Sequence, residues 1–240
     1  MSRARFLLVS VALVIFAGSA AFGFQAQAPV YDFGDLTRLA DKYGTDKGSS
    51  WHKYTEVYAY FFAPMRNDAR KILEIGVENG ASLKMFRDYF PKATIYGIDI
   101  EDSSRLNSAR IRTFVANQED VNQLRKFIEA CGSDFDLILD DGGHSMPQQQ
   151  VSLGFLFPHV KPGGYYIVED VHTSVIGGYG ADQDGRNTTL RMIENFIRTG
   201  KLVSKYMANE QTQYLATHIR YCNLFKGEAR ESITCILKKK

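Results

Sequence analysis

An open, doubly wound α/β sheet, mostly parallel and finished by a C-terminal antiparallel hairpin, is the fold this sequence predicts. Three observations carry that expectation. Short apolar runs alternate with helical patterns between residues 71 and 169, as in a parallel sheet with crossover helices. Two of those runs, residues 137–141 and 165–170, end in carboxylates, and strand ends are where such sheets bind ligands. The first run leads into Gly76-Val77-Glu78-Asn79-Gly80, a glycine-flanked turn between strand and helix where backbone and ligand can approach closely. A chain of 240 residues with 45% hydrophobic content is expected to bury one principal core.

Residues 1–28 read as a separate module. Arg3 and Arg5 precede an uncharged run over residues 6–24, and Ala26-Gln27-Ala28 follows, the order of a secretory signal. Pro29 is a poor cleavage context and the run is long enough to span a bilayer. A cleaved signal and an uncleaved anchor therefore both stand. With the arginines N-terminal, the remainder is expected in the secretory pathway or membrane-anchored on the non-cytoplasmic side. A cytoplasmic chain is the alternative.

Residues 29–66 read as a helical cap. Residues 35–43 suit a short helix stopped at Gly44, and residues 51–65 carry aromatics at helical spacing (Tyr54, Tyr58, Phe61, Phe62) up to Pro64. That stripe is expected to pack against the main domain, residues 67–240. There, strands are expected at 71–77, 94–100, 135–140 and 164–169, with helices at 81–89, 121–130, 148–157 and 190–197. Lys161-Pro162-Gly163-Gly164 reads as a turn into the last of those strands. Residues 219–225 and 232–237 suit the closing hairpin. Residues 173–187, rich in glycine, read as a lid over the acceptor or as a disordered loop.

A net charge of +2, spread along the chain, gives no basic stripe and excludes nucleic acid as the expected partner. Lys238-Lys239-Lys240 reads as a solvated tail. Cys131, Cys222 and Cys235 lack metal-ligand spacing and read as buried thiols, with a Cys222–Cys235 bridge open in an oxidising compartment.

The chemistry converges on strand ends. Asp141, Glu169 and Asp170 are parts for a hard-cation site, and His144 stands beside them as a base. Asp99, ending the second strand, can accept the ribose hydroxyls of an adenosine-containing ligand. Asn117 and Gln118 follow a third apolar run and could meet an adenine edge. Tyr43, Thr45, Asp46, Lys47, His52 and Tyr54 precede the first strand and either fold over the cofactor edge or pack.

Glu74-x-Gly76-x-x-x-Gly80 with Asp99 resembles the cofactor signature of class I S-adenosylmethionine-dependent methyltransferases, which have a Rossmann-like fold. Further segments resemble the metal-dependent macrolide and sugar O-methyltransferases. These are Leu39-Ala40-Asp41-Lys42-Tyr43-Gly44-Thr45-Asp46-Lys47, His52-x-Tyr54, Asp140-Asp141-Gly142-x-His144, Leu156-Phe157-Pro158, Pro162-Gly163-Gly164 and Glu169-Asp170. The resemblance runs from about residue 35 to 173. It implies that Asp141, Glu169 and Asp170 hold Mg²⁺ or Mn²⁺, that His144 is the general base, and that Glu74, Gly76, Gly80 and Asp99 contact S-adenosylmethionine. Two features depart from the pattern: Gly143 stands where a serine is usual, and larger members carry an additional N-terminal domain.

The activity so implied is methyl transfer to a hydroxyl of a sugar or glycosylated small molecule. A catechol-type O-methyltransferase is the alternative enzyme, and a membrane-tethered, non-catalytic cofactor- or glycan-binding protein the alternative class. The partner expected is a small-molecule glycoside, with the membrane a second one if the leader stays uncleaved; self-association is left open.

Overall fold

In the computed structural model, residues 31–180, 185–227 and 232–240 are described; the expected leader, residues 1–28, lies outside them. The cap comes first. Helix α1 (Asp35–Tyr43) stops where expected, because Gly44 takes a left-handed φ of 73° and turns its N–H back to the Ala40 carbonyl. Helix α2 (Tyr54–Phe62) starts later than the aromatic pattern suggests, since Lys53 sits in left-handed backbone immediately before it. Trp51 is thereby left outside the helix and exposed, whereas Tyr54, Tyr58 and Phe62 are buried as the packing stripe requires.

The alternation then follows. Strand β1 (Lys71–Ile75) leads to α3 (Ala81–Tyr89), β2 (Thr94–Asp99), β3 (Ile111–Val115), α4 (Val121–Cys131), β4 (Phe135–Asp140), α5 (Met146–Leu156) and β5 (Val160–Val168). Helices α6 (Thr189–Thr199) and α7 (Asn209–His218) precede the hairpin β6 (Ile219–Lys226) and β7 (Ile233–Lys239). The described strands form one sheet in the order β3-β2-β1-β4-β5-β7-β6. The first five run parallel, while β7 pairs antiparallel with β5 and with β6. Sheet order reverses between β1 and β4, so a crevice opens above their C-terminal ends.

Every position of β4 is buried, which explains its unbroken apolar run. One core lies on the face of Ile138, Phe135 and Tyr166 under α4, α5 and α7. The other lies on the face of Leu137, Leu139 and Ile167 and takes the cap helices and α3. Each such side chain contributes about 1.5–3 kcal/mol by leaving water. Helix caps are equally local in origin. Asp120 receives the Asn122 and Gln123 amides at the start of α4, and Ser145 with Gln148 forms a capping box that starts α5 before the expected residue 148.

Some sequence expectations are corrected. Strand β5 begins at Val160, and its register against β4 jumps from Phe135↔Val160 to Leu137↔Tyr165. Lys161–Gly164 is thus a bulge inside the strand, with Gly163 at φ 77°. The C-terminal lysines are no tail: Lys239 is buried and donates to the Pro158 and Val160 carbonyls, and Lys238 donates to the Tyr165 hydroxyl. Cys222 and Cys235 are free thiols with sulfurs 3.2 Å apart. Among the described residues, no helix is long and apolar enough to cross a membrane. The segment expected as a lid begins with a 3-10 turn, Val171–Val175, whose first four residues are buried. Residues 181–184 of that segment lie outside the described residues.

Candidate active site

Register puts the acids at one level. Ile75 pairs with Asp140 and Asp140 with Val168, so Asp141 and Glu169 leave adjacent strands together. Asp140 is the buried hub beneath them. It accepts hydrogen bonds from Ser152 Oγ and from Gln118 Nε2 at 3.0 Å, and Tyr166 OH lies 3.3 Å away. Burial pushes its carboxyl up to about 6 against those donors.

Above the hub, His144 Nε2 lies 3.5 Å from Asp170 Oδ2 and 4.0 Å from Asp141 Oδ1. One ligand atom from each of these residues falls within 4.8 Å of the others, a grouping able to hold a metal ion. His144 and Asp170 both sit in left-handed backbone, at φ 55° and 52°, a strained state for residues other than glycine that concentrates at functional sites. Thr173 Oγ1 holds them there, 2.9 Å from both the His144 and Asp170 carbonyls.

Glu169 is the predicted ligand that stands apart from this grouping. Its Oε1 accepts from Tyr58 OH at 2.7 Å, and its Oε2 lies 3.0 Å from Lys47 Nζ. Lys47 also contacts Asp141 Oδ2, so one ammonium is flanked by two of the predicted ligands. Burial alone would favour the neutral amine, but Asp141, Glu169 and Glu74 prevail and hold Lys47 well above the ordinary lysine range. The position is therefore suited to positive charge, and hard carboxylate oxygens at such a point fit Mg²⁺ or Mn²⁺.

Beside this cluster a cavity of about 710 Å³ opens over the β1 and β2 ends, lined by Gly76, Asp99, Glu101, Asn117, Gln118 and Asp141 among others. The volume suits a nucleoside-sized ligand. Gly76 is required by the protein itself: a Cβ there would lie 2.1 Å from the Asp141 carbonyl oxygen. Gly80 caps α3 at φ 79° against the Leu106 side chain and is outside the lining.

Glu74 does not line the cavity. It is fully buried, accepts from Ser82 Oγ at 2.6 Å, and lies 3.7 Å from Lys47 Nζ. Asp99 Oδ2 accepts the Val77 and Glu78 amides at 2.7 and 3.2 Å, and Oδ1 accepts the Glu101 amide at 3.0 Å. Burial raises its carboxyl, yet these amides outweigh burial and leave it below the ordinary range. Asp99 builds the turn, and Glu101, exposed, lines the same wall of the cavity. Gln118 bridges Asp140 and the Gly143 amide, and Asn117 Oδ1 accepts the Glu119 amide. Sequence reasoning missed Glu101, and it expected Lys47 to fold over the cofactor edge or pack without pairing it with the acids. The acidic residue two places past a strand end was a visible signal for Glu101; Lys47 had only its place in a motif.

No protein-family model matches the chain. It is 38% identical over 215 residues to the L-olivosyl-oleandolide 3-O-methyltransferase of Streptomyces antibioticus, covering 85% of this chain and 55% of that protein. It is 39% identical over 175 residues to the 8-demethyl-8-(2-methoxy-alpha-L-rhamnosyl)-tetracenomycin-C 3'-O-methyltransferase of Streptomyces olivaceus, covering 68% of this chain and 44% of that protein. Among solved structures, the MycE methyltransferase of the mycinamycin biosynthetic pathway, in complex with Mg, SAH and mycinamycin VI, matches with a TM-score of 0.72. Its identity is 31%, over 85% of this chain and 54% of that one. The chain spans about half the length of these relatives.

The sheet order, the glycine turn over the cavity and these matches define a class I S-adenosylmethionine-dependent methyltransferase fold. Within that class the chain is similar to macrolide and sugar O-methyltransferases over about half of their length.

Proposed function

We propose that the protein methylates a hydroxyl of a sugar or glycosylated small molecule, using S-adenosylmethionine and a divalent cation. The observation that carries the reading is the grouping of Asp141, His144 and Asp170 at the rim of the nucleoside-sized cavity. Asp141 and Asp170 would hold the cation, with Glu169 reaching the same place from the far side of Lys47. When bound, the cation would make the acceptor hydroxyl more acidic, and the cofactor would supply the methyl group. His144 Nε2 takes the hydroxyl proton, and Asp170 stabilises the imidazolium that results. Glu101 and the Gly76 turn orient the nucleoside, so the chain's main contribution is alignment of donor and acceptor.

The test is incubation of the purified protein with radiolabelled S-adenosylmethionine and a panel of glycosides and catechols, with Mg²⁺ and with chelator. Label transfer to glycosides that chelator abolishes is the expected result. Transfer only to catechols would move the substrate to the alternative class, and no transfer with bound cofactor would favour a binding protein.

Arg3, Arg5 and the uncharged run that follows support a secretory or membrane-anchored location. Carbonate extraction of cell membranes tests it: a full-length chain in the soluble cytosolic fraction defeats this reading. A location outside the cytosol also requires the cofactor to be delivered there.

A further inference from the structure

The loop between α1 and α2 delivers one ammonium to the point where the sheet gathers its carboxylates. Lys47 is 1% exposed. Its Nζ contacts Asp141 Oδ2 and lies 3.0 Å from Glu169 Oε2. Two further carboxyl groups lie behind it, Glu74 Oε1 at 3.7 Å and Asp46 Oδ1 at 3.8 Å. The backbone beneath is fixed, since the Lys47 carbonyl accepts the Thr55 amide at 3.1 Å and the Asp46 carbonyl accepts the His52 amide at 2.9 Å.

We propose that Lys47 is a resident counter-cation of the divalent-cation site, holding Asp141 and Glu169 together and swinging off them when the metal ion binds. The inference rests on the divalent-cation reading given above.

Two carboxylates facing one notch, Glu169 buried and Asp141 half-buried, repel each other unless a positive charge lies between them. Lys47 supplies that charge and so keeps Glu169 turned toward Asp141. A divalent cation at the same notch needs those oxygens at about 2.0–2.1 Å for Mg²⁺, a shell with no room for the ammonium. The side chain has somewhere to go. Glu74 and Asp46 are within reach, so it can leave the ligands by rotating its own torsions, without losing every counter-charge. This also explains why Glu169 lies apart from the Asp141–His144–Asp170 grouping while Lys47 is in place. The swing would move positive charge toward Glu74, at the end of β1 behind the cofactor cavity, linking cation and cofactor occupancy through one side chain.

Calorimetric titration of Mg²⁺ and Mn²⁺ into the full chain, the Lys47→Met variant and the Lys47→Arg variant tests the proposal. With the competitor gone, Lys47→Met is expected to bind the cation about tenfold tighter or more, while Lys47→Arg keeps the competing charge and shows no gain. A Lys47→Met variant that is folded and binds no tighter than the native chain overturns the counter-cation role and leaves the divalent-cation reading intact. Absence of binding by the native chain and by Lys47→Met overturns both. If Lys47→Met fails to fold, a crystal structure of the Mg²⁺-loaded native chain decides. Nζ rotated onto Glu74 or Asp46 supports the proposal, and Nζ still bonded to Asp141 and Glu169 beside the ion overturns it.

Discussion

His144 and Asp170, from the loops after β4 and β5, meet with their rings and carboxylates 3.5 Å apart while both hold left-handed backbone. Two strained residues side by side persist only when their surroundings over-determine them. The Thr173 hydroxyl, shared between their carbonyls, is a local restraint common to both. It couples the position of the proposed base to the position of a proposed cation ligand.

Removing the imidazole should therefore separate chemistry from binding. His144→Ala is expected to lower the methylation rate by the ~100- to 10,000-fold typical of a lost general base. S-adenosylhomocysteine binding, measured by calorimetry, should stay near native. The residual rate should rise with pH as hydroxide replaces the imidazole. A native rate in this variant would remove His144 from the mechanism.

Thr173→Val keeps the side-chain shape and deletes the shared donor. The expected outcome is a fall in kcat with KM for the cofactor nearly unchanged, since the cavity wall does not include Thr173. Stability should drop by about 1 kcal/mol, read by urea denaturation. A change in cofactor KM alone would mean that Thr173 acts on the cavity instead.

The nucleoside wall makes a sharper comparison. Asp99 and Glu101 both line the cavity, but Asp99 has both oxygens engaged by backbone amides. Glu101→Ala should weaken S-adenosylhomocysteine binding in a protein of native stability. Asp99→Ala should weaken binding and stability together, because it dismantles the turn that carries Gly76. Equal stability of the two variants with weaker binding only in Asp99→Ala would restore Asp99 as the direct ribose contact.

Much of this geometry was readable in the sequence, and the exceptions share a cause. The β4 and β5 runs identify their own strand ends because they are apolar on both faces, and the acids that follow stand out against them. Helix α1 was bounded by Gly44, a local signal. Lys47 could not be assigned because its partner Asp141 is 94 residues away, and nothing nearby distinguishes a buried lysine from a solvated one. Lys239 hides for the same reason, its partners being the Pro158 and Val160 carbonyls. Helix α7 escaped because only Thr212 and Leu215 are buried in it, too few to make a periodic stripe. Gly76 was read as a ligand approach and does line the cavity, while the close backbone approach it admits within the protein is that of Asp141.

Glu74 gives a pH dependence with a definite sign. Burial raises its carboxyl from 4.5 to about 7, opposed by Lys47 and by the Ser82 hydroxyl. The folded protein consequently binds this proton more tightly than the unfolded chain does. Between those two values the native state carries more protons, so unfolding free energy falls as pH rises through the window. The contribution is present below the unfolded value and lost above the folded one. At about 1.4 kcal/mol per unit, a shift of this size is worth on the order of 3 kcal/mol. Glu74→Gln mimics the neutral acid and should flatten that part of the profile, gaining stability relative to the native chain at pH 8 and little at pH 4.5. Urea denaturation of metal-free protein across this range provides the measurement. Parallel profiles for Glu74→Gln and the native chain would show that Lys47 keeps Glu74 ionised throughout, with no proton taken up on folding.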